Sequence, residues 1–189
     1  MEGRPIAAGK SSFDLVEVEH VFRQLAFKED TVFLDAACGV GNYAIAASQR
    51  IGEAGLVYAV DLWEEGIAAL RETIREKKIR NIKALVGDLA QRLPIPAGAV
   101  DVCLMATVVH DFIEIGSHEA VLGEVRRLLK PTAKLAVIEF KKIEGPPGPP
   151  EGIRVTPDQI DAVVHPHGFE RERMVEVGAY NYLSLYGVQ

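Results

Sequence analysis

The chain has 189 residues, 48% of them hydrophobic, 25% charged and 7% aromatic; 21 Lys and Arg stand against 27 Asp and Glu, for a formal net charge of -6. This ordinary globular composition excludes the disordered, collagen-like and disulfide-scaffold classes. A chain this long buries about 70% of the surface its unfolded form exposes, so it needs no metal or disulfide staple. The acidic balance, without any basic run, leaves no electrostatic footprint for a nucleic-acid backbone or an anionic membrane.

The two cysteines, Cys38 and Cys103, lie far apart in apolar segments and belong to no cluster of zinc spacing. They read as reduced thiols in a reducing compartment. The N-terminal stretch lacks an apolar core of the kind a signal peptide carries, and no apolar run reaches the length of a membrane span. A cytoplasmic protein of one domain, residues 1–189, is therefore expected.

In chain order, Leu15, Val18, Val21, Phe22 and Leu25 have helical spacing behind the capping candidates Ser12 and Asp14. A strand at 32–34 runs into a loop at 35–43, followed by a small-residue helix at 44–50 that stops at Gly52. A strand at 56–60, a helix at 64–78 and a strand at 83–86 come next; the helix has Ile67, Leu70 and Ile74 on one face and charges that suit its dipole. The polar, proline-containing stretch 89–98 leads to a strand at 100–106, and 107–117 reads as a loop. Ser117 is placed to cap a helix through Leu129, ended by Pro131, and a strand follows at 134–140. The run Gly145-Pro-Pro-Gly-Pro-Pro150 is stiff and poor in donors, hence a surface loop. Thr156-Pro-Asp-Gln159 combines a capping box with a proline at the first helical position. Two closing strands at 170–177 and 180–188 should pair as a hairpin across Gly178-Ala179.

Strand and helix alternate until the closing hairpin, which predicts an α/β, doubly wound, mostly parallel seven-stranded sheet with antiparallel strands at one edge. Ligands of such sheets sit outside the carboxyl ends of the strands. Those ends carry Asp35-Ala-Ala-Cys-Gly39-Val-Gly41 after the first strand, Asp61 after the second and Asp88-Leu89 after the third. Gly39 and Gly41 allow a tight turn and close approach to bare backbone, and the helix that follows offers free N–H groups. A carboxylate at Asp61 suits a ribose diol; Asp88 beside Leu89 suits the amine and face of an adenine.

The loop Asp35-Ala-Ala-Cys-Gly-Val-Gly resembles the first motif of the class I S-adenosylmethionine-dependent methyltransferases, with Asp61 and Asp88 at the positions of their second- and third-strand acids. The resemblance covers nearly the whole chain from Phe13; Val137-Ile-Glu-Phe140 and the passage from Leu93 to Asp101 look most like the small-molecule branch with the quinone-biosynthesis C-methyltransferases. It implies a Rossmann-like methyltransferase fold, S-adenosylmethionine as cofactor and a small-molecule methyl acceptor. Gly39, Gly41 and the backbone of Ala37 and Cys38 would cradle the methionyl group, with Asp35 toward its ammonium. Asp61 would take the ribose and Leu62 the adenine, Asp88 the adenine amine under the cover of Leu89, and Ala106 would leave room at the sulfonium. The family usually has glycine where this chain has Ala37, which restricts the backbone there.

His110, just past the fourth strand, is a candidate general base, and Glu139, ending the fifth, is the alternative; Glu139 is also within sequence reach of Lys141. His165 and His167 read as surface histidines, Trp63 as a packing residue, and Tyr180, Tyr182 and Tyr186 as sharing one side of the last strand. Acceptor recognition is assigned to the N-terminal helix and the 107–117 and 141–156 loops, the last as a stiff lid. Two other readings stay open. Gly39-Val-Gly-Asn-Tyr-Ala44 also fits a dinucleotide fingerprint, although no catalytic domain for hydride transfer follows. A protein of this fold can also bind cofactor or partner without catalysis.

Overall fold

In a computed structural model, residues 11–189 are described. The elements are α1 (Val18–Leu25), β1 (Val32–Ala36), α2 (Asn42–Arg50), β2 (Leu56–Asp61), α3 (Glu64–Glu76), β3 (Ile82–Val86), β4 (Val100–Ala106), α4 (Val109–Glu114), α5 (His118–Leu128), β5 (Leu129–Phe140), α6 (Pro157–Val164), β6 (Phe169–Glu176) and β7 (Asn181–Val188), with 3-10 turns at Phe13–Leu15 and His165–His167. They build one seven-stranded sheet in the order β3-β2-β1-β4-β5-β7-β6. Strands β1 to β5 are parallel, and β7 runs antiparallel to both β5 and β6. The doubly wound sheet and its closing hairpin are those expected from the sequence.

Strands of such a sheet are buried on both faces, which is why β1, β2 and β4 read as near-continuous apolar runs. On one face Phe33, Val57, Leu104 and Ile138 pack under α1, α2 and α3, which contribute Val21, Phe22, Ala47, Ile67 and Leu70. On the other, Leu34, Val60, Met105 and Val137 pack under α5 and α6, which contribute Val121, Val125, Leu128, Ile160 and Val164. Burying one such side chain is worth about 1.5–3 kcal/mol, so the two layers hold the sheet from both sides. The edge strand β6 is mostly exposed and charged, and its pairing with β7 shifts register between Arg171 and Arg173.

Several boundaries differ from the expected ones. Strand β1 continues through Asp35 and Ala36, so Asp35 belongs to the strand and is buried. Helix α5 stops at Leu128 and β5 starts at Leu129, whose backbone is already extended, and Pro131 favours the same conformation at Lys130. Ser117 does not cap α5; its hydroxyl is buried without a partner among the described residues. The short helix α4 occupies what read as a loop. The stretch 89–98 is irregular as expected, yet it buries Leu89, Leu93 and Ile95. It is held by Glu124, which accepts from the Leu93 N–H at 2.8 Å, and by Arg127, which donates to the Leu93 and Ile95 carbonyls. The capping box at Thr156 and Gln159 forms as expected. Tyr182 and Tyr186 share one face in the core, whereas Tyr180 precedes β7 and is exposed.

Candidate functional site

The topological switch point lies where β1 is flanked by β2 on one side and β4 on the other, and at the carboxyl ends of these strands the chain crossovers diverge. Asp35 sits inside β1, in register with Ala59 of β2 and Leu104 of β4. Its carboxylate accepts from the Ala44 N–H at 2.9 Å. Burial raises the Asp35 pKa, the Ala44 bond opposes this and the Asp61 charge adds to it; the result is a pKa raised from 3.8 to about 7.

The chain then turns through Ala37, at φ 60°, Gly39, at φ 57°, and Gly41, at φ 78°. Alanine in this left-handed conformation is strained by its Cβ, whereas glycine is not. The two glycines have different reasons. A Cβ on Gly41 would come within 2.5 Å of Leu70, so Gly41 allows α2 and α3 to pack. A Cβ on Gly39 would meet nothing within 4 Å, so Gly39 leaves its backbone open to a ligand.

Asp61 ends β2 and ties the turn to the sheet. Its Oδ2 accepts from the Gly39 N–H at 2.7 Å and its Oδ1 from the Trp63 N–H at 2.8 Å. Each oxygen keeps a further lone pair. Trp63 lies over Gly66, where a Cβ would approach the indole to 2.4 Å, so it is the packing residue expected. Gly87 donates to the Asp61 carbonyl, bringing Asp88 to the same edge; Asp88 accepts from the Ala90 N–H at 2.8 Å. The open apolar groups of this edge are Leu62, 54% exposed, and Val86, 41% exposed. Leu89, expected to cover a ring, is buried in the core and offers little surface.

Beyond β4, half-buried Ala106 leads to Thr107 at φ 55°, an unusual conformation for a β-branched residue, held by a bond from its N–H to the Ile138 carbonyl at 2.7 Å. That bend starts α4 and turns His110 back onto β5. The two acid-base candidates, which sequence reasoning set up as alternatives, form one pair: His110 Nδ1 lies 2.8 Å from Glu139 Oε2 and 3.0 Å from Oε1. Glu139 also accepts from the His110 N–H at 3.1 Å. It does not pair with Lys141, which reaches Glu176 instead. Burial opposes protonation of His110, but the hydrogen bond and charge of Glu139, with Asp111 and Glu114, outweigh it and raise its pKa above 6.5.

Two features of this half were missed in the sequence. Arg154 is 2% exposed, and its guanidinium donates to the carbonyls of Lys141, Ile143, Gly145, Pro147 and Pro149, while lying over the Phe140 ring. The proline-rich stretch is thus wound around an internal cation. Asn181 is fully buried; its Nδ2 donates to the Glu139 carbonyl at 3.4 Å, and its Oδ1 has no partner among the described residues. The histidines at 165 and 167 pair with Glu170 and Glu119, and among the described residues no group of metal-ligand type gathers.

An open sheet of this order, with carboxylates ending β2 and β3 and a glycine turn after β1, defines a class I S-adenosylmethionine-dependent methyltransferase fold. The methyltransferase domain family matches residues 33–132, and the chain belongs to that family. It is similar to the S-adenosylmethionine-dependent methyltransferase of Aquifex aeolicus, with 30% identity, 94% of this chain and 93% of that one covered, and a TM-score of 0.85. It is 33% identical over 113 residues to the ubiquinone/menaquinone biosynthesis C-methyltransferase of Paraburkholderia phymatum, covering 60% of this chain and 44% of that protein. It is 26% identical over 127 residues to the demethylmenaquinone methyltransferase of a Geobacillus species, covering 62% of this chain and 53% of that protein. The chain thus spans about half the length of these curated relatives.

Proposed function

We propose that the protein transfers the methyl group of S-adenosylmethionine to a small-molecule acceptor, acting as one domain. The observation that carries this reading is the Asp61 carboxylate, which joins the Gly39 and Trp63 amides and keeps acceptor capacity beside exposed Leu62. The fit to the cofactor rests on three further features. Gly39 presents open backbone where the methionyl group would lie, together with Ala37, Cys38 and Gly41. Asp35 is a buried carboxyl with no cation beside it among the described residues, and the ammonium or sulfonium would supply one. Asp88 keeps lone pairs for an exocyclic amine, and Ala106 ends β4 with only a methyl group.

When bound, the cofactor supplies a methyl group already activated by its sulfonium. The protein's part is to align the acceptor above β4 and β5 and receive its proton, with His110 and Glu139 as the groups at hand. The quinone-linked names of the curated relatives favour an aromatic, quinol-like acceptor. A cytoplasmic location, with no nucleic-acid or membrane partner, is the reading favoured by net charge -6 and two free cysteines; no described helix is long and apolar enough to cross a membrane.

Calorimetric titration with S-adenosylmethionine, S-adenosylhomocysteine and NADH tests the cofactor. Both sulfur ligands should bind and NADH should not. Asp61→Ala should weaken them by roughly 10- to 100-fold, the worth of one or two charge-assisted hydrogen bonds. Binding of NADH alone would replace this reading with a dehydrogenase. Cofactor binding without turnover of any acceptor would favour a non-catalytic role.

A further inference from the structure

The geometry points to Asn181 as a specificity-determining residue. Its side-chain oxygen is placed to accept a hydrogen bond from an O–H or N–H group at the end of the methyl acceptor farthest from the reacting atom. The inference rests on the methyl-transfer reading above and deepens it.

Asn181 opens β7 and has no exposed surface. Its Nδ2 donates to the Glu139 carbonyl at 3.4 Å, and the Val177 N–H donates to its backbone carbonyl at 3.1 Å. Turning the amide over would set one oxygen against another, so the nitrogen belongs on the Glu139 side and Oδ1 points away from it. Among the described residues Oδ1 has no partner, and it has no surface open to water. A buried acceptor without a donor costs stability, and such atoms are rare in folded proteins. A ligand that brings the donor offsets that cost.

Position decides which ligand that is. Asn181 stands opposite Phe140 at the carboxyl end of β5, and alternation along β7 puts it on the side of Leu183 and Leu185. Helix α2, which follows the glycine turn, packs on that same side. Partly buried Phe13, Val16, Cys38 and Ala106 pack against the same apolar cluster. They extend it from the glycine turn and the end of β4 toward the β6–β7 turn, where the Glu17 N–H donates to the Val177 carbonyl. Strand β7 lies two places beyond β4, across β5, a span of about 10 Å. An acceptor with its reacting atom above Ala106 would lie along this apolar surface and bring its far end to Asn181. The wall beside the amide is held in place: the Arg154 guanidinium lies 5.6 Å from the Phe140 ring centroid, and a Cβ on Gly148 would come within 2.7 Å of that ring. A carbonyl oxygen fixed in this way takes a hydroxyl or an N–H, and repels an ether, carbonyl or carboxylate oxygen at the same place.

Asn181→Leu keeps the shape and removes the oxygen. The ligand-free variant should melt about 2–4 °C higher than the native protein, because an acceptor without a donor is gone. A lower melting point would mean that the oxygen already serves the fold, and overturns the inference. Methyl transfer is then compared for hydroquinone and 4-methoxyphenol, which differ in the donor at the far end. In the native protein kcat/KM should favour hydroquinone by roughly 10-fold. In Asn181→Leu the KM for hydroquinone should rise by roughly 10-fold with kcat little changed, and the preference should vanish. A preference that survives in the variant overturns the inference. So does its absence from the native protein, a comparison that needs no variant, and so does turnover of neither phenol while S-adenosylhomocysteine binds. Failure of S-adenosylhomocysteine to bind overturns the methyl-transfer reading beneath it.

Discussion

At the ends of β1, β2 and β3 the carboxylates of Asp35, Asp61 and Asp88 rest on backbone amides, whereas beyond β4 and β5 two buried polar side chains are each gripped by several bonds. There His110 is held by Glu139 and Arg154 by five carbonyls. The first arrangement leaves acceptor capacity on Asp61 and Asp88, and holds the buried Asp35 carboxyl by the Ala44 amide, which leaves room for a ligand. The second is held by its own pairings, apart from the buried Asn181 Oδ1, and on the proposed function it would be the wall against which an acceptor is aligned. On the proposed function, cofactor recognition would rest on open valences and acceptor handling on preorganised ones.

The largest expected effect tests the first arrangement. Asp35 has a pKa of about 7 when folded against 3.8 ordinarily. The folded protein therefore holds a proton that the unfolded chain has already lost, and stability falls as pH rises from about 4 to about 7. Across that window the ligand-free protein should lose on the order of 4 kcal/mol through this group. Asp35→Asn should flatten the decline and exceed the wild type in stability above pH 7, while binding S-adenosylmethionine more weakly. Urea unfolding at a series of pH values measures it, and an unchanged slope in the variant would place the proton elsewhere.

The second prediction breaks the other arrangement. Arg154→Ala removes all five donors of the guanidinium and leaves its five carbonyl partners without them inside the loop, so a loss of about 3 kcal/mol, roughly 6–12 °C in melting temperature, is expected. Arg154→Lys, with three donors, should fall between. Calorimetric melting decides, and a melting point unmoved in Arg154→Ala would mean that the proline-rich stretch stands without its cation. The smallest effect concerns Ala37, at φ 60°. Ala37→Gly should gain about 0.5–1 kcal/mol in chemical denaturation by relieving the Cβ strain, net of the greater freedom of glycine when unfolded.

The same division explains what the sequence could reveal. Asp35, Gly39, Gly41 and Asp61 lie within one strand-turn-helix-strand unit, and their meaning is carried by short spacings that any reader of sequence can measure. The alternation of elements likewise fixes the parallel sheet, and Gly178 and Ala179 mark the closing hairpin. By contrast, His110 and Glu139 are 29 residues apart and on different elements, so each looked like a rival of the other until β5 and α4 were packed together. Helix α4 has only six residues, too few to establish a helical period, and it owes its place to the bend at Thr107. Arg154 gave no signal because its partners are backbone carbonyls, which every sequence has. Leu89 followed an aspartate as the resemblance requires, yet the 89–98 stretch turned it inward, where Leu93 and Ile95 go as well.

Strand β6 closes the sheet with Glu170, Arg171, Glu172, Arg173 and Glu176, and most of these charges are already engaged: Glu172 with Lys134, Glu176 with Lys141, Arg171 with Asp158 and Asp161, Glu170 with His165. A foreign strand laid along this border would have to displace those partners, and would meet a ladder whose spacing is interrupted between Arg171 and Arg173. The border therefore resists continuation by a neighbouring copy, and a crowded solution of this protein should stay free of fibrils that start there.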